Sequence, residues 1–530
     1  MLMSKKSNFL KSPVLPIIFL VVSVISAILF RAARSNWVFI NLTLGIEAFT
    51  VILLSLMVLT AVLFTVLSAL RIYEDKKSDD AFYQKKTYNV LLLAGIVLSV
   101  IFGVFAIIYS SGLAFGENSE VFTLNLKKSL SEGAFLIIVP FFAIFYPALG
   151  CKVKKAVLAL AIIVTALLGI NSFSPLSPYK ITSTPMIIDN GSGYSVVFST
   201  NDAGSAWIEY TFEGKDFKVF DQTGGRISSE RRIHNISVPY EHLRNNTYKV
   251  GSTRIIEDFS YGSRTGKTVF SDEFTLTFND KENQTWLVIS DWHTMLNKAY
   301  SAIDNLKSEY DAVILLGDST PGVDFEEQVI TNTVQFGGEV SGGTRPILYV
   351  RGNHETRGSY ADELPAALGL EQFYYTADIG PYSFVVLDSG EDKDDSHPEY
   401  GGLTDYNTYR ADMIEWLKGT EVKNDKVIAL SHSWRISDVE KELSVNGWSE
   451  LTRLNTRLLL SGHEHKCRFI GENEDEKEYI EANPKITAYI DGGKVGDGYI
   501  ASLLTLDGDG FEIRAVDNKG DEVIKEKFIW

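Results

Sequence analysis

Asp291, His293, Asp318, Asn353, His354, His432, His463 and His465 each stand just past a short apolar run. "TWLVIS" leads into Asp291-Trp-His293, "AVILLG" into Asp318, and "PILYVRG" into Asn353-His354-Glu355. "KVIAL" leads into Ser431-His432 and "RLLLSG" into His463-Glu-His465. These residue types suit a pair of divalent cations. Neutral imidazole binds borderline transition metals, carboxylate supplies anionic oxygen, and an amide oxygen adds a neutral ligand that leaves metal-bound water acidic. One carboxylate can bridge two ions roughly 3.5 to 4 Å apart, the separation at which a shared hydroxide can attack phosphorus. Taken singly, an aspartate after a strand is usually a cap or turn former, and a Gly-Asn pair is usually a turn. Taken together, five of the eight histidines fall at run ends within one stretch of chain. His234, His242 and His397 lie in polar contexts and receive no role.

In their order, Asp291-x-His293, Gly317-Asp318, Gly352-Asn-His-Glu355, His432 and Gly462-His-x-His465 resemble the motif set of the calcineurin-like metallophosphoesterases. The resemblance covers residues 285 to 500 and implies a four-layer α-β-β-α domain that hydrolyses phosphate mono- or diesters. It implies one metal held by Asp291, His293, Asp318 and His465, and a second held by Asp318, Asn353, His432 and His463. Manganese, iron and zinc are the candidates. His354 would lie outside the metal shell, holding the phosphate and protonating the leaving oxygen. Glu355 is read as a support rather than a ligand, and Glu464 as turned away from the site. Arg357 could help to bind phosphate, with an ordinary surface arginine as the equal alternative. The chain departs from the related purple acid phosphatases, which have Gly where His293 stands and a tyrosine ligand where Pro321 stands. That places it in an Asp-x-His branch. A different reading is a membrane receptor or transporter component whose phosphoesterase-like domain binds ligand without turnover.

These residues need rigid elements behind them. From 283 onward, apolar strands alternate with helix-like stretches, the pattern of an α/β layer fold whose ligands bind beyond the carboxyl ends of strands. "ITAYIDGG", "YIASLLTL", "GFEIRAV" and "EKFIW" read as further strands that complete a second sheet. The acidic runs "EDKDD" and "ENEDEKE" read as solvated loops, with calcium binding as the sharper alternative. Residues 174–282 carry short alternating runs such as "YSVVFST", "SAWIEYTF" and "EFTLTF", expected to form a small fibronectin-like β-sandwich. Trp207 and Tyr210 are assigned to its core.

Residues 1–173 are mostly apolar, and segments at 14–30, 44–70, 90–109, 134–149 and 156–173 approach or exceed a bilayer-spanning length. We read them as a bundle of about five transmembrane helices, the first having a signal peptide as its alternative. Lys and Arg concentrate in the first, third and fifth connecting regions, which predicts a cytoplasmic N-terminus and an extracellular catalytic domain. Loss of one span would reverse that side. Glu47 lies within a predicted span and is assigned to its outer interface. Through Ser172 the chain carries a net charge of +7, and the remainder carries −24. An acidic surface disfavours nucleic acid as partner, so a small phosphorylated substrate and the lipid bilayer are the expected partners. Two cysteines, Cys151 and Cys467, exclude a disulfide framework.

Overall fold

The computed structural model describes residues 14–32, scattered positions between 56 and 70, 82–114, Leu126, and 177–530 apart from 260 and 261. The chain divides into two compact units, Met1–Leu176 and Ser177–Trp530.

In the first unit, Leu15–Ala32 and Lys86–Ala114 are helices. Pro16 falls in the first turn of the former, where its missing N–H has no helical partner to lose. Ser23 Oγ and Ser99 Oγ meet at 3.0 Å between the two helices, so each buried hydroxyl has a partner in apolar surroundings. Among the described residues, Lys86–Ile108 is the one helix long and apolar enough to cross a membrane, and Leu15–Phe30 is a shorter apolar helix. The expected spans at 44–70, 134–149 and 156–173 lie mostly or wholly outside the described residues, as does Glu47.

The second unit is built on two large sheets. The first carries, in spatial order, strands Glu522–Ile529, Gly510–Asp517, Gly498–Leu506, Gln284–Ile289, Ala312–Leu315, Pro346–Tyr349, Met186–Asp189, Tyr194–Ser199 and Ile233–Val238. Gln284–Ile289, Ala312–Leu315, Pro346–Tyr349 and Met186–Asp189 run parallel. The second sheet orders Tyr375–Ile379, Tyr382–Leu387, Lys426–Ser431, Thr456–Ser461, Thr487–Ile490 and Arg468–Phe469, with four neighbouring strands parallel. Parallel strands covered on both faces read as continuous apolar runs, which accounts for "TWLVI", "AVIL" and "RLLL".

Alternation along each strand divides its side chains between two layers. Phe384, Val386, Ile428, Leu430, Leu458 and Leu460 enter the core shared with the first sheet, where Trp286 meets Phe384 at 4.6 Å between ring centroids. Val385, Leu387, Val427, Ala429 and Leu459 face the opposite way. They pack on Met413, Ile414 and Leu417 of helix Tyr406–Gly419, and on Trp448 and Leu451 of helix Lys441–Arg453.

The strands after the last motif do not all complete the second sheet. Of the four expected strands only Thr487–Ile490 joins it, beside the short strand Arg468–Phe469, whereas Gly498–Leu506 pairs antiparallel with Gln284–Ile289 and draws the two following strands onto the first sheet. Nor is the expected sandwich of 174–282 self-contained. Met186–Asp189 pairs with Pro346–Tyr349, so strands from both sides of residue 282 share a sheet. Met186, Ile188 and Val197 face the large core, while Ile187, Val196 and Phe198 face Ile208 and Val250 of a separate five-stranded sheet. Trp207 and Tyr210 are buried there.

The run "ENEDEKE" is no solvated loop. Asn473 and Glu476 form a capping box that starts helix Glu474–Ala482, and Glu476 is buried against Arg468.

Candidate metal centre

All the candidate ligands lie past the carboxyl ends of parallel strands, and the connecting loops bend sharply there. Asp291, His293, Asp318, His463 and His465 have left-handed backbone, with φ of 47°, 35°, 57°, 70° and 54°. Such a conformation costs roughly 1–2 kcal/mol for a residue with a Cβ, so surrounding structure must enforce it. Backbone bonds between loops do so. Asp291 N–H donates to Gly317 O at 2.9 Å, His293 N–H to Asp318 O at 3.1 Å, and Gly462 N–H to His432 O at 2.9 Å. Gly317 and Gly352 let two loops touch, because a Cβ on Gly317 would overlap the Gly352 backbone. Buried Glu355 ties the same loops by accepting from the N–H groups of Asp318, Ser319 and Gly352 at 2.8, 2.5 and 2.9 Å.

The residue between each ligand pair points elsewhere. Trp292 is buried, donates to Asn332 O at 2.7 Å and stacks on Phe336. Glu464 accepts from Trp434 Nε1 at 2.7 Å and from Arg468 at 2.8 Å. The Asp-x-His and His-x-His spacings thus place both outer side chains in the centre and send the middle one into support.

The ligand atoms form two groups that share Asp318, each within 4.8 Å: Asp291, His293, Asp318 and His465, then Asp318, His432 and His463. Each carboxylate divides its oxygens between scaffold and centre. Asp318 Oδ1 accepts His354 N–H at 3.0 Å, while Oδ2 lies 3.5 Å from His293 Nε2 and 3.3 Å from His432 Nε2. Asp291 Oδ2 accepts His463 N–H at 2.9 Å, and Oδ1, buried without a hydrogen-bond partner, lies 3.4 Å from His465 Nε2. Asn353 Oδ1 is 3.2 Å from both His432 Nε2 and His463 Nδ1, which adds it to the second group. His293 Nε2 and His465 Nε2 face each other at 3.2 Å.

The electrostatics favour cation binding. Burial lowers His293 to about 3, against the pull of Asp318, and lowers His465 to about 4, so both rings offer lone pairs at neutral pH. Burial raises Asp291 to about 8, with Asp318 adding to the rise and His432 opposing it. Asp318 stays well below the usual carboxylate range despite its burial, because His432, His354 and His293 surround it. His432 would be lowered by burial, but Asp318 lifts it to about 10, and its Nδ1 donates to Leu316 O at 2.6 Å. Protons thus occupy this cluster unevenly, and a divalent cation would replace them. Two carboxylates, an amide oxygen and four imidazoles, with one orphaned carboxylate oxygen, fit borderline divalent metals.

His354 is held outside both groups. Its Nδ1 donates to Pro321 O at 2.9 Å, which leaves Nε2 3.9 Å from Asp318 Oδ2 and partly open. Arg357 is not brought to the centre as a free cation. Its guanidinium forms a two-pronged pair with Glu391, Nε–Oε1 and Nη2–Oε2 both at 2.7 Å, and reaches Asp392 at 3.0 Å. Glu391 is buried, so "EDKDD" is a strap fastened beside the Asn353–Arg357 loop rather than a solvated run. The sequence reading missed Glu391 because charge runs ordinarily face water. It also missed Asp491, another acid at the end of a strand, whose carboxylate accepts Ser290 and Ser502 hydroxyls at 2.9 and 2.5 Å.

The family model described as calcineurin-like phosphoesterase matches residues 285–467. Solved structures similar to the chain include one titled as PhoD, 12% identical, covering 67% of this chain and 90% of that one, TM-score 0.40. GAP50, titled as the anchor in the inner membrane complex of Plasmodium, is 15% identical over 47% of this chain and 89% of that one, TM-score 0.35. Vacuolar protein sorting 29 from Cryptosporidium parvum is 14% identical over 47% and 100%, TM-score 0.26. No curated protein matches the chain significantly. The chain carries a calcineurin-like phosphoesterase domain over residues 285–467, and the candidate metal centre lies inside it.

Proposed function

We propose that the chain is a membrane-anchored, metal-dependent phosphoesterase that hydrolyses phosphate mono- or diesters with water. The observation that carries this reading is the pair of ligand groups joined through Asp318 Oδ2. Asp291, His293, Asp318 and His465 would hold one divalent cation, and Asp318, Asn353, His432 and His463 the other. Cations there supply positive charge that stabilises the transition state and acidifies water. The protein groups do the rest. Glu355 holds Asp318 and Asn353 in register, and His354 acts as general acid. With Nδ1 pinned to Pro321 O, His354 presents Nε2 and gives its proton to the departing ester oxygen, so the leaving group departs as an alcohol.

The long apolar helix Lys86–Ile108 supports membrane anchoring, and the Lys/Arg bias of the connections supports an outward-facing catalytic domain. Protease access to the C-terminal unit in intact cells tests the side. Turnover is tested with an artificial aryl phosphate. Chelation should stop it and Mn²⁺ should restore it, whereas robust hydrolysis by a fully metal-free preparation would sink the reading.

A further inference from the structure

A histidine that offers one ring nitrogen to a cation must find a separate partner for the other, and that partner sets the tautomer and the angle of the ring. In the second ligand group the two rings are turned in opposite senses. His432 turns Nε2 to the centre, 3.3 Å from Asp318 Oδ2, and its Nδ1 donates to Leu316 O at 2.6 Å. His463 instead turns Nδ1 to the centre, 3.2 Å from Asn353 Oδ1. Its Nε2 therefore points outward, and the acid it meets there is Asp438, with Oδ2 at 3.8 Å.

Asp438 lies on the loop that leaves strand Lys426–Ser431 after His432 and leads into helix Lys441–Arg453. That loop is anchored without help from the centre. Ile436 has left-handed backbone, with φ of 69°, an outlier for a β-branched residue, and its side chain is fully buried against the outer face of the second sheet. Its N–H donates to Ser433 O at 3.1 Å. On the far side of Asp438, Glu440 N–H donates to Ser437 Oγ at 2.9 Å, and the Glu440 carboxylate pairs with buried Arg410 at 2.9 Å. Arg435 holds the Asp438 carboxylate itself. Its Nη1 lies 3.6 Å from Asp438 Oδ1 and 3.6 Å from Glu464, the residue between His463 and His465. One oxygen of Asp438 thus faces Arg435 and the other faces His463. The two side chains are 15% and 22% exposed, so water screens the pair only in part.

We propose that Asp438 is a positioning residue for the second cation site: it accepts the Nε2–H of His463 and so fixes the tautomer whose Nδ1 lone pair faces Asn353 and Asp318. This rests on the two-cation reading above. The separation exceeds a hydrogen bond by less than about 1 Å, a gap that a small rotation of ring or carboxylate closes. A carboxylate on the outer nitrogen also makes the inner one a stronger donor, which is why such partners raise metal affinity without touching the metal.

The experiment titrates the metal-free full chain with Mn²⁺ by calorimetry, so it reads metal binding without turnover. His463→Ala identifies which of the two equivalents belongs to the second site. Asp438→Ala should weaken that equivalent by about ten- to a hundredfold and leave the other unchanged. Asp438→Asn, which keeps the size and an acceptor oxygen, should lose less. Added to His463→Ala, Asp438→Ala should change metal binding no further, because the ring it orients is already gone. Unchanged affinity in both Asp438 variants would overturn the assignment and leave the cation sites standing. Equal weakening of the two equivalents, or a further loss in the His463→Ala background, would also overturn it, since either marks a general structural role. If the wild-type chain takes up only one equivalent or none, the two-cation reading fails and the role of Asp438 falls with it.

Discussion

The two sheets of the second unit contribute unlike chemistry to one centre. The first supplies every candidate oxygen ligand, Asp291, Asp318 and Asn353, together with His293. The second supplies only imidazoles, His432, His463 and His465. Each ligand group draws on both sheets, so neither sheet holds a cation site alone. The centre is a product of how the sheets pack, and its loops carry strained backbone on both sides. Anything that shifts one sheet against the other should separate oxygens from nitrogens before it unfolds either.

Asp318→Asn is the harshest test, because Asp318 Oδ2 is the one oxygen shared by both groups. It should abolish aryl phosphate hydrolysis and reduce bound metal on both sides, measured by elemental analysis. Retention of full metal content would break the idea of a shared oxygen. A milder division follows from single imidazoles of the second sheet. His463→Ala and His465→Ala should each lower metal content by a different, partial amount, since they belong to different groups. Next comes His354→Ala, which should cut kcat by about 10²–10⁴ with metal content intact, as loss of a general acid does. Equal loss of metal would place His354 among the ligands instead.

Arg357→Ala removes the cationic partner of buried Glu391, leaving the Thr356 and Tyr400 hydroxyls on it, and should destabilise the unit by about 2–3 kcal/mol. This is below the cost for a fully buried pair because Arg357 remains partly exposed. Denaturant unfolding measures it, and a change under 0.5 kcal/mol would mean the strap is held by other contacts. The smallest effect concerns Asp491, which joins the sheets beneath the centre by accepting hydroxyls from Ser290 and Ser502. Burial raises its carboxyl to about 7. A raised carboxyl binds its proton more tightly in the folded state, so its contribution to stability falls as pH rises from about 4 through 7. At fixed metal loading, Asp491→Asn should flatten that fall in a melting series, and an unaltered pH slope would count against it.

Much of the centre was legible from residue order, because strand-end positions and the x between paired ligands follow from the period of a strand. Trp292 and Glu464 show why the spacing works, since the middle residue leaves the centre for a buried partner. What escaped the sequence reading were residues whose role depends on distant partners. Glu391 looked like part of a solvated acidic run until Arg357, 34 residues away, was seen to hold it. The final strands were assigned to the second sheet, yet three of them extend the first. Apolar alternation states that a strand has buried faces without stating which neighbour covers them. The sandwich strands misled for the same reason, since Met186–Asp189 serves two cores at once.

By itself the sequence determined the candidate ligand types, their order and the apolar runs that deliver them, because these depend on local chemistry and on a two-residue period. Tertiary structure alone decided which oxygen faces which nitrogen, that Arg357 is bound to carboxylates, and that Asp491 accepts the Ser290 and Ser502 hydroxyls. Those outcomes require loops from two sheets to meet within hydrogen-bonding distance, and no spacing along one chain encodes such a meeting.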